Sequence, residues 1–260
     1  MRFHFFKKQP RMKILVCISN VPDTTTKIKL SGDKKSVDLT GVQWVINPWD
    51  ELALTRAMEL QEQSGGKISQ ITVITVGGIE VEPTLRKALA VGAEDAVRID
   101  ANPTDDFYVA AQIAAYVKKN PFDLILAGIE SSDYNGSAVG SMVAEFLDIP
   151  SVSSVSNISL DGDSIVMKRA IDGGSEIINA PMPVVAVVQK GIAIDPRIPA
   201  MRGIMMARKK NLLVEPAAAV DAQSEFVGYE MPKPKPPVKK ISPDNVGELF
   251  RLLHEEAKIL

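Results

Sequence analysis

Asp123-Leu124-Ile125-Leu126-Ala127-Gly128-Ile129-Glu130-Ser131-Ser132-Asp133-Tyr134-Asn135-Gly136-Ser137-Ala138-Val139-Gly140 is the stretch that decides the fold. Asp123–Ala127 reads as a buried strand that runs into Gly128. Ser137–Leu147 reads as a helix, closed by Ile149-Pro150. The polar loop between them has small residues where the helix begins. In an open α/β sheet, ligands bind beyond the carboxyl ends of the strands. Backbone N–H groups at a helix start can face a phosphate, helped by the helix dipole. Glycine lets the backbone approach closely. The plainer reading of this loop is an ordinary capped turn.

Working outward, the same alternation recurs. Lys13–Ile18 is a strand, and Val42–Ile46 a further strand candidate. Asn47-Pro48-Trp49-Asp50-Glu51 then opens a helix: Asn47 as cap, Pro48 at the first helical position, acids in the first turn. Ile71–Val76 is a strand ending in Gly77-Gly78, Thr84–Val91 a helix stopped by Gly92, and Ala96–Ile99 a strand. Phe107–Lys119 is a helix ended by Asn120-Pro121. Strands alternating with helices through short Gly-rich turns indicate βαβ units, hence a parallel sheet with helices on both faces, a three-layer α/β fold.

After Pro150 the pattern changes. Ser151–Ser159, Ser164–Ile171 and Glu176–Ala180 are β-rich and separated by Asp161-Gly162-Asp163 and Asp172-Gly173-Gly174, which predict hairpins. Val184–Val188 is a last buried strand, so the sheet is expected to become mixed. The nucleotide-binding domain is assigned to 12–215. From 216 to 260 the chain reads as an arm that wraps a partner, the alternative being that it packs back on its own domain: Met231–Lys240 is MPKPKPPVKK, a stiff basic linker, and Ser242-Pro243-Asp244 starts a terminal helix with Val246, Leu249, Phe250 and Leu253 at helical spacing.

Composition narrows the function. The 260 residues carry 30 Lys+Arg against 32 Asp+Glu, which argues against a general nucleic-acid or polybasic membrane binder. One cysteine, Cys17, and two histidines, His4 and His254, exclude an internal disulfide and a Cys/His zinc site. Both histidines lie in the tails, so His-based nucleophilic or general-base systems are unsupported. No Gly-x-Ser-x-Gly elbow and no Walker loop occurs. Ser64-Gly65-Gly66-Lys67 follows a helix and reads as its C-cap and turn. Apolar runs are far shorter than the ~20 residues of a membrane span. Residues 1–11, MRFHFFKKQPR, read as a disordered lead-in or upstream extension before Met12, with a cleavable organellar leader as the minor alternative.

Four chain ends are suggestive together: Cys17-Ile18-Ser19-Asn20, Asn47-Pro48-Trp49, Val76-Gly77-Gly78 and the Gly128–Gly140 loop. Cys17 on a buried strand reads as packing. Asp195–Lys210 mixes rigid prolines, three methionines and a basic end. That composition suits either an adaptable partner contact or a Met-containing core helix with a solvated basic turn.

In order along the chain, several pieces resemble one family, the β subunit of electron transfer flavoprotein. They are Met12–Ser19, Val45–Ala53, Leu85-Arg86-Lys87-Ala88-Leu89-Ala90-Val91-Gly92-Ala93, Lys168–Glu176 with Pro183, Asp195-Pro196-Arg197, and Ile204–Lys210. The resemblance implies a Rossmann-like, adenine-nucleotide-binding fold and an electron carrier subunit rather than an enzyme. It implies an α-subunit partner that holds most of the redox FAD, and a structural AMP in this subunit. Electrons would come from flavin dehydrogenases of the acyl-CoA type, as in fatty acid oxidation, and pass to a quinone oxidoreductase or other acceptor. The compartment would be the bacterial cytoplasm, or the mitochondrial matrix in a eukaryote. No nucleic acid and no membrane insertion are implied.

Carried over by position, the AMP pocket comprises Cys17, Asn47, Pro48, Trp49, Asp50, Val76 and Gly128 to Gly140, with amides of Gly136–Gly140 on the phosphate. Val21–Thr26 would face the flavin. Met201, with Ile198 and Arg202, would dock the dehydrogenase within the 197–210 segment. Departures stand beside this. Met201-Arg202 replaces a common Leu-Pro, Thr24 replaces a common aromatic residue, the phosphate loop lacks the usual Gln, and Met167 opens the signature. The alternative within the family is an electron-bifurcating subunit, in which a second FAD replaces AMP and NADH supplies electrons. An ATP-using enzyme on a related fold lacks its Ser-Gly-Gly-x-Asp-Ser motif here. A stand-alone nucleotide sensor leaves the arm without a purpose.

Overall fold

A computed structural model describes residues 11–162 and 164–260; the reading of residues 1–10, including His4, and of Asp163 lies outside these. The strands are β1 (Met12–Cys17), β2 (Asn20–Pro22), β3 (Trp44–Ile46), β4 (Ile68–Val76), β5 (Asp95–Asp100), β6 (Leu124–Gly128), β7 (Ser151–Asp161), β8 (Ser164–Ile171), β9 (Gly174–Pro181), β10 (Val184–Val188) and β11 (Leu212–Pro216). The helices are α1 (Pro48–Gln63), α2 (Glu82–Val91), α3 (Asp106–Lys119), α4 (Val139–Leu147), α5 (Met201–Ala207) and α6 (Val246–Arg251).

Nine strands form one sheet in the order β11-β5-β4-β1-β6-β10-β7-β8-β9. The first seven run parallel, and β8 and β9 are antiparallel additions. The expected mixed sheet with hairpins after Pro150 is therefore present. Gly162 (φ 59°) and Gly173 (φ 79°) take the left-handed conformation that tight hairpin turns require.

Strands buried on both faces explain the continuous apolar runs. In β1, Ile14 and Val16 point into a core with Leu54 of α1 and Leu85 of α2, whereas Leu15 and Cys17 point into a second core with Ile113 of α3 and Val143 of α4. The sheet is thus the middle of three layers. Local signals place the helices. Pro48 sits in the first turn of α1. The Asp105 carboxylate caps α3 by accepting from the Tyr108 N–H at 2.7 Å, and Gly92 ends α2.

Three expectations change. Val42–Ile46 is not a strand of the main sheet; only Trp44–Ile46 is extended, and it pairs antiparallel with Asn20–Pro22 in a separate two-stranded ribbon. The α4 helix starts at Val139 rather than Ser137, because Asn135 (φ 51°) and Ser137 (φ 54°) turn the chain left-handed first. A strand that the sequence reading omits, β11, adds to the sheet edge beside β5, where Pro216 costs no ladder donor that matters.

The described residues divide into two compact units, residues 11–29 with 38–226, and residues 30–37 with 227–260. The second unit contains a short loop bridged between Leu30 and Val37, whose Lys34 carbonyl accepts from the Tyr229 N–H at 2.8 Å. It also contains α6, capped by the Asn245 side chain and continued by a π-helical turn over Leu252–Glu256. Val246, Leu249 and Phe250 are exposed on α6. Among the described residues, no helix is long and apolar enough to cross a membrane.

Candidate functional site

The ends of β4, β1 and β6 singled out in the sequence lie side by side, and the start of α1 ties the loops after β1 and β6 together. Asn47 and Asp50 are polar yet almost wholly buried, at 1% and 3% exposure. Burying such groups is costly unless they are hydrogen-bonded, and both are. Asn47 Nδ2 donates to the Glu130 carbonyl at 2.8 Å, and its Oδ1 accepts from the Ser132 N–H at 3.2 Å. Asp50 Oδ2 accepts from the Ser19 N–H at 2.8 Å and its Oδ1 from the Gly128 N–H at 3.0 Å. The Asn47 N–H in turn donates to the Ser19 carbonyl at 2.9 Å. One short segment thereby ties the loop after β1 to the loop after β6. Its side chains brace the loops from behind.

Glycine is required at Gly128, because a Cβ there would overlap Asp50 Oδ1 and the Cβ of Trp49. It is also required at Gly140, where a Cβ would press on Val187 and Ala127 and lift α4 off the sheet. On the α3–α4 side of the sheet, Cys17, Val76 and Ala127 share one apolar cluster, with Ile129 and Val139 half-buried against it. The loop from Asp133 to Ser137 is exposed. The ring of Tyr134 packs on Phe226, with centroids 4.9 Å apart. The Ser137 hydroxyl donates to Glu130 Oε2 at 3.3 Å. Ala138, the N-cap of α4, supplies no side-chain acceptor, and the first turn holds no acidic residue.

The electrostatics follow from burial. Burial pushes the Asp50 carboxyl up to about 7, against the pull of its hydrogen bonds from Ser19, Asn47 and Gly128. Burial also raises the Cys17 thiol well above its ordinary value, and the nearby Asp50 charge adds to this. Cys17 is therefore an unreactive packing group, as its strand position predicts. Asp106 is raised by burial and by the charges of Asp105 and Asp133. Gly128–Gly140 contains no Lys or Arg, so any anion held here would depend on backbone N–H groups.

The second group of predicted residues lies elsewhere. Met201 opens α5 as part of a helix rather than an irregular loop, and is 76% exposed; Ile198 just before it is 87% exposed and Arg202 is also exposed. Met205 and Met206 are exposed too, so α5 is not a core helix and only Ala207 is buried. Of the stretch Val21–Thr26, expected from the resemblance to face a flavin, Val21 is buried in β2 while Thr24 and Thr25 are exposed.

Sequence reasoning missed Arg98. It is buried on β5, and its guanidinium donates to the Gly77 carbonyl at 3.0 Å, Asp100 Oδ1 at 2.5 Å and Glu82 Oε1 at 3.2 Å. It fixes the chain just beyond β4. The available signal was a lone arginine inside the apolar run Ala96–Ile99. Asp105 was missed as well: besides capping α3, its Oδ2 accepts from the Gln223 and Ser224 N–H groups, each at 2.7 Å.

Comparison with known proteins fits this geometry. The family model described as the electron transfer flavoprotein domain matches residues 35–220. The chain is 34% identical to electron transfer flavoprotein subunit beta of Bacillus subtilis, over 96% of this chain and 100% of that protein. It is 32% identical to the subunit of the same name from Syntrophomonas wolfei, over 86% and 87%, and 30% identical to that of Bos taurus, over 95% and 99%. The matched domain and the near full-length similarity to named β subunits lead to one assignment: the chain belongs to the electron transfer flavoprotein family, as a β-subunit member.

Proposed function

We propose that the chain pairs with an α subunit holding most of the FAD, and that it binds AMP at the strand ends described above. The observation that carries this is the uncapped first turn of α4, whose Val139 packs against the cluster of Cys17, Val76 and Ala127 at the strand ends, with the loops after β1 and β6 tied together by the buried Asn47–Asp50 brace. The residues fit the ligand. Cys17, Val76, Ile129 and Val139 offer an apolar wall for a base, and the amides of Gly136–Gly140 offer donors to a phosphate. Gly128 and Gly140 leave room for the close backbone packing this needs.

The FAD, when bound, supplies one- and two-electron chemistry. The role of this chain is to hold, orient and shield. AMP ties the loops after β1 and β6 into one rigid wall, and Val21–Thr26 contributes to the flavin's surroundings. Acyl-CoA-type flavin dehydrogenases dock on the 197–210 segment, with Met201 as anchor beside Ile198 and Arg202. An exposed apolar knob is the kind of group that dominates docking energy. The arm from residue 216 onward clasps the α subunit, supported by the uncovered apolar residues of α6. Electrons leave to a quinone oxidoreductase or comparable acceptor.

The test is to purify the chain with its α subunit, release nucleotides with acid and quantify them. One AMP and one FAD per heterodimer is the expected result. Two FAD and no AMP would put a second flavin nucleotide in this loop and shift the reading to the bifurcating, NADH-oxidising type.

A further inference from the structure

The 197–210 segment, which exposes Ile198, Met201, Ile204, Met205 and Met206, is pinned at both ends by contacts across more than a hundred residues of sequence. At its start, the Arg197 N–H donates to Thr55 Oγ1 on α1 at 2.9 Å, and the guanidinium grips both oxygens of Glu62 at 2.7 and 2.9 Å. At its end, Lys210 Nζ donates to the carbonyls of Leu89, Gly92 and Ala93 at 2.9, 3.1 and 2.6 Å. These carbonyls surround the C-terminus of α2, where helix geometry leaves C=O groups unpaired and favours a positive charge. The same helix reaches back. Arg86 Nη1 donates to the Ala207 and Lys210 carbonyls at 2.9 and 2.8 Å. Gly203 completes the seat, since a Cβ there would strike the Ala90 carbonyl.

This arrangement has a physical cost without a packing reason. The core faces of α1 and α2 are apolar and buried without these cations. Fixing long Lys and Arg side chains spends rotamer freedom. What the pins achieve is a fixed backbone under residues that themselves face outward. A surface ordered before encounter loses less freedom on binding, which is the main way preorganisation raises affinity.

We propose that Lys210, Arg86 and Arg197 are positioning residues that hold the 197–210 segment in its docking conformation, so that a flavin dehydrogenase meets a preformed apolar surface. This rests on reading the segment as the dehydrogenase contact. The test uses the intact heterodimer with an acyl-CoA dehydrogenase as electron donor. Lys210→Met is compared with the charge-keeping Lys210→Arg, and Met201→Ala tests the underlying reading. Three quantities are read: amide hydrogen exchange over 198–210, KM for the dehydrogenase against kcat, and bound nucleotide. For Lys210→Met the expected result is exchange about tenfold faster in α5, KM raised about fivefold, kcat within about twofold, and nucleotide content kept. Lys210→Arg should recover most of the KM.

Unchanged exchange would overturn the pinning, and faster exchange with unchanged KM would overturn its use in docking. Loss of nucleotide together with KM would mean a general structural role and would also overturn it. Should Lys210→Met fail to assemble, Arg197→Met reads the same two quantities from the opposite end. If Met201→Ala weakens docking while the pin variants do not, the proposal fails alone. If Met201→Ala is also silent, the docking assignment itself is wrong.

Discussion

Asp50 holds two amides that belong to different loops, and its buried carboxyl titrates near neutrality. Its folded value of about 7 lies well above the roughly 4 of an unfolded aspartate. Between these values the folded chain keeps a proton that the unfolded chain has released. The unfolded state therefore binds fewer protons, and the stability that Asp50 contributes falls as pH rises through that window. Asp50→Asn has no proton to exchange, so the melting temperature of the variant should lose this part of the parent's decline between about pH 4 and 7. Its amide would face one N–H with a donor, at a cost of about 1–3 kcal/mol, read as a lower melting temperature at pH 5. Gly128→Ala should destabilise the same junction from the other side, because its Cβ overlaps Asp50 Oδ1 and Trp49. A loss of about 1–3 kcal/mol and of bound AMP is expected, measured by melting and by nucleotide release. Residue-scale chemistry was half legible in the sequence. Asn47 and Asp50 could be picked out as helix-start residues, but their partners at Ser19 and Glu130–Ser132 lie far along the chain. A capping residue and a brace between loops look alike until the fold brings the loops together.

Elements were easier to read than their docking. The apolar runs, the proline at the start of α1 and the Asp-Gly turns follow from local chemistry, and the strands and helices stand nearly where that chemistry puts them. Strand β2 escapes because three residues carry too little pattern, and the edge strand β11 because it is largely exposed and ends in a charge and a proline; Val42–Ile46 is readable as a strand, but not its pairing with β2. The sequence leaves α5 open between an adaptable partner contact and a Met-containing core helix; its methionines are exposed, and it is held by Gly203 against Ala90 and by distant cations. On this scale, Met201→Ala should weaken electron acceptance from a dehydrogenase several-fold while AMP content stays constant, since the side chain is exposed and removed from the strand ends. Stopped-flow flavin reduction at varied dehydrogenase concentration measures this. Gly140→Val should act in the opposite sense. By lifting α4 off Val187 and Ala127, it should deplete AMP and leave dehydrogenase docking intact.

At the scale of the whole molecule, the unit formed by residues 30–37 and 227–260 carries large exposed apolar side chains, among them Val246 and Phe250. Deleting the chain from Met231 should weaken association with the α subunit by an order of magnitude or more, read by co-elution at falling concentration. The sheet order has a further consequence, for synthesis. Strand β10 is made after β7, β8 and β9, yet it lies between β6 and β7 and pairs with both. Until Val184–Val188 leaves the ribosome, the β7–β9 meander has no attachment to the strands made before it, and β6 has one bare edge. The N-terminal half then presents an open strand edge to its surroundings, the kind of template that recruits other chains. At β10, a strand of valine and alanine alone, birth order and spatial order disagree in a way that leaves two pieces unjoined. A ribosome stalled just before Val184 should thus leave a sticky, chaperone-dependent nascent chain, and one stalled well beyond Pro216 should not.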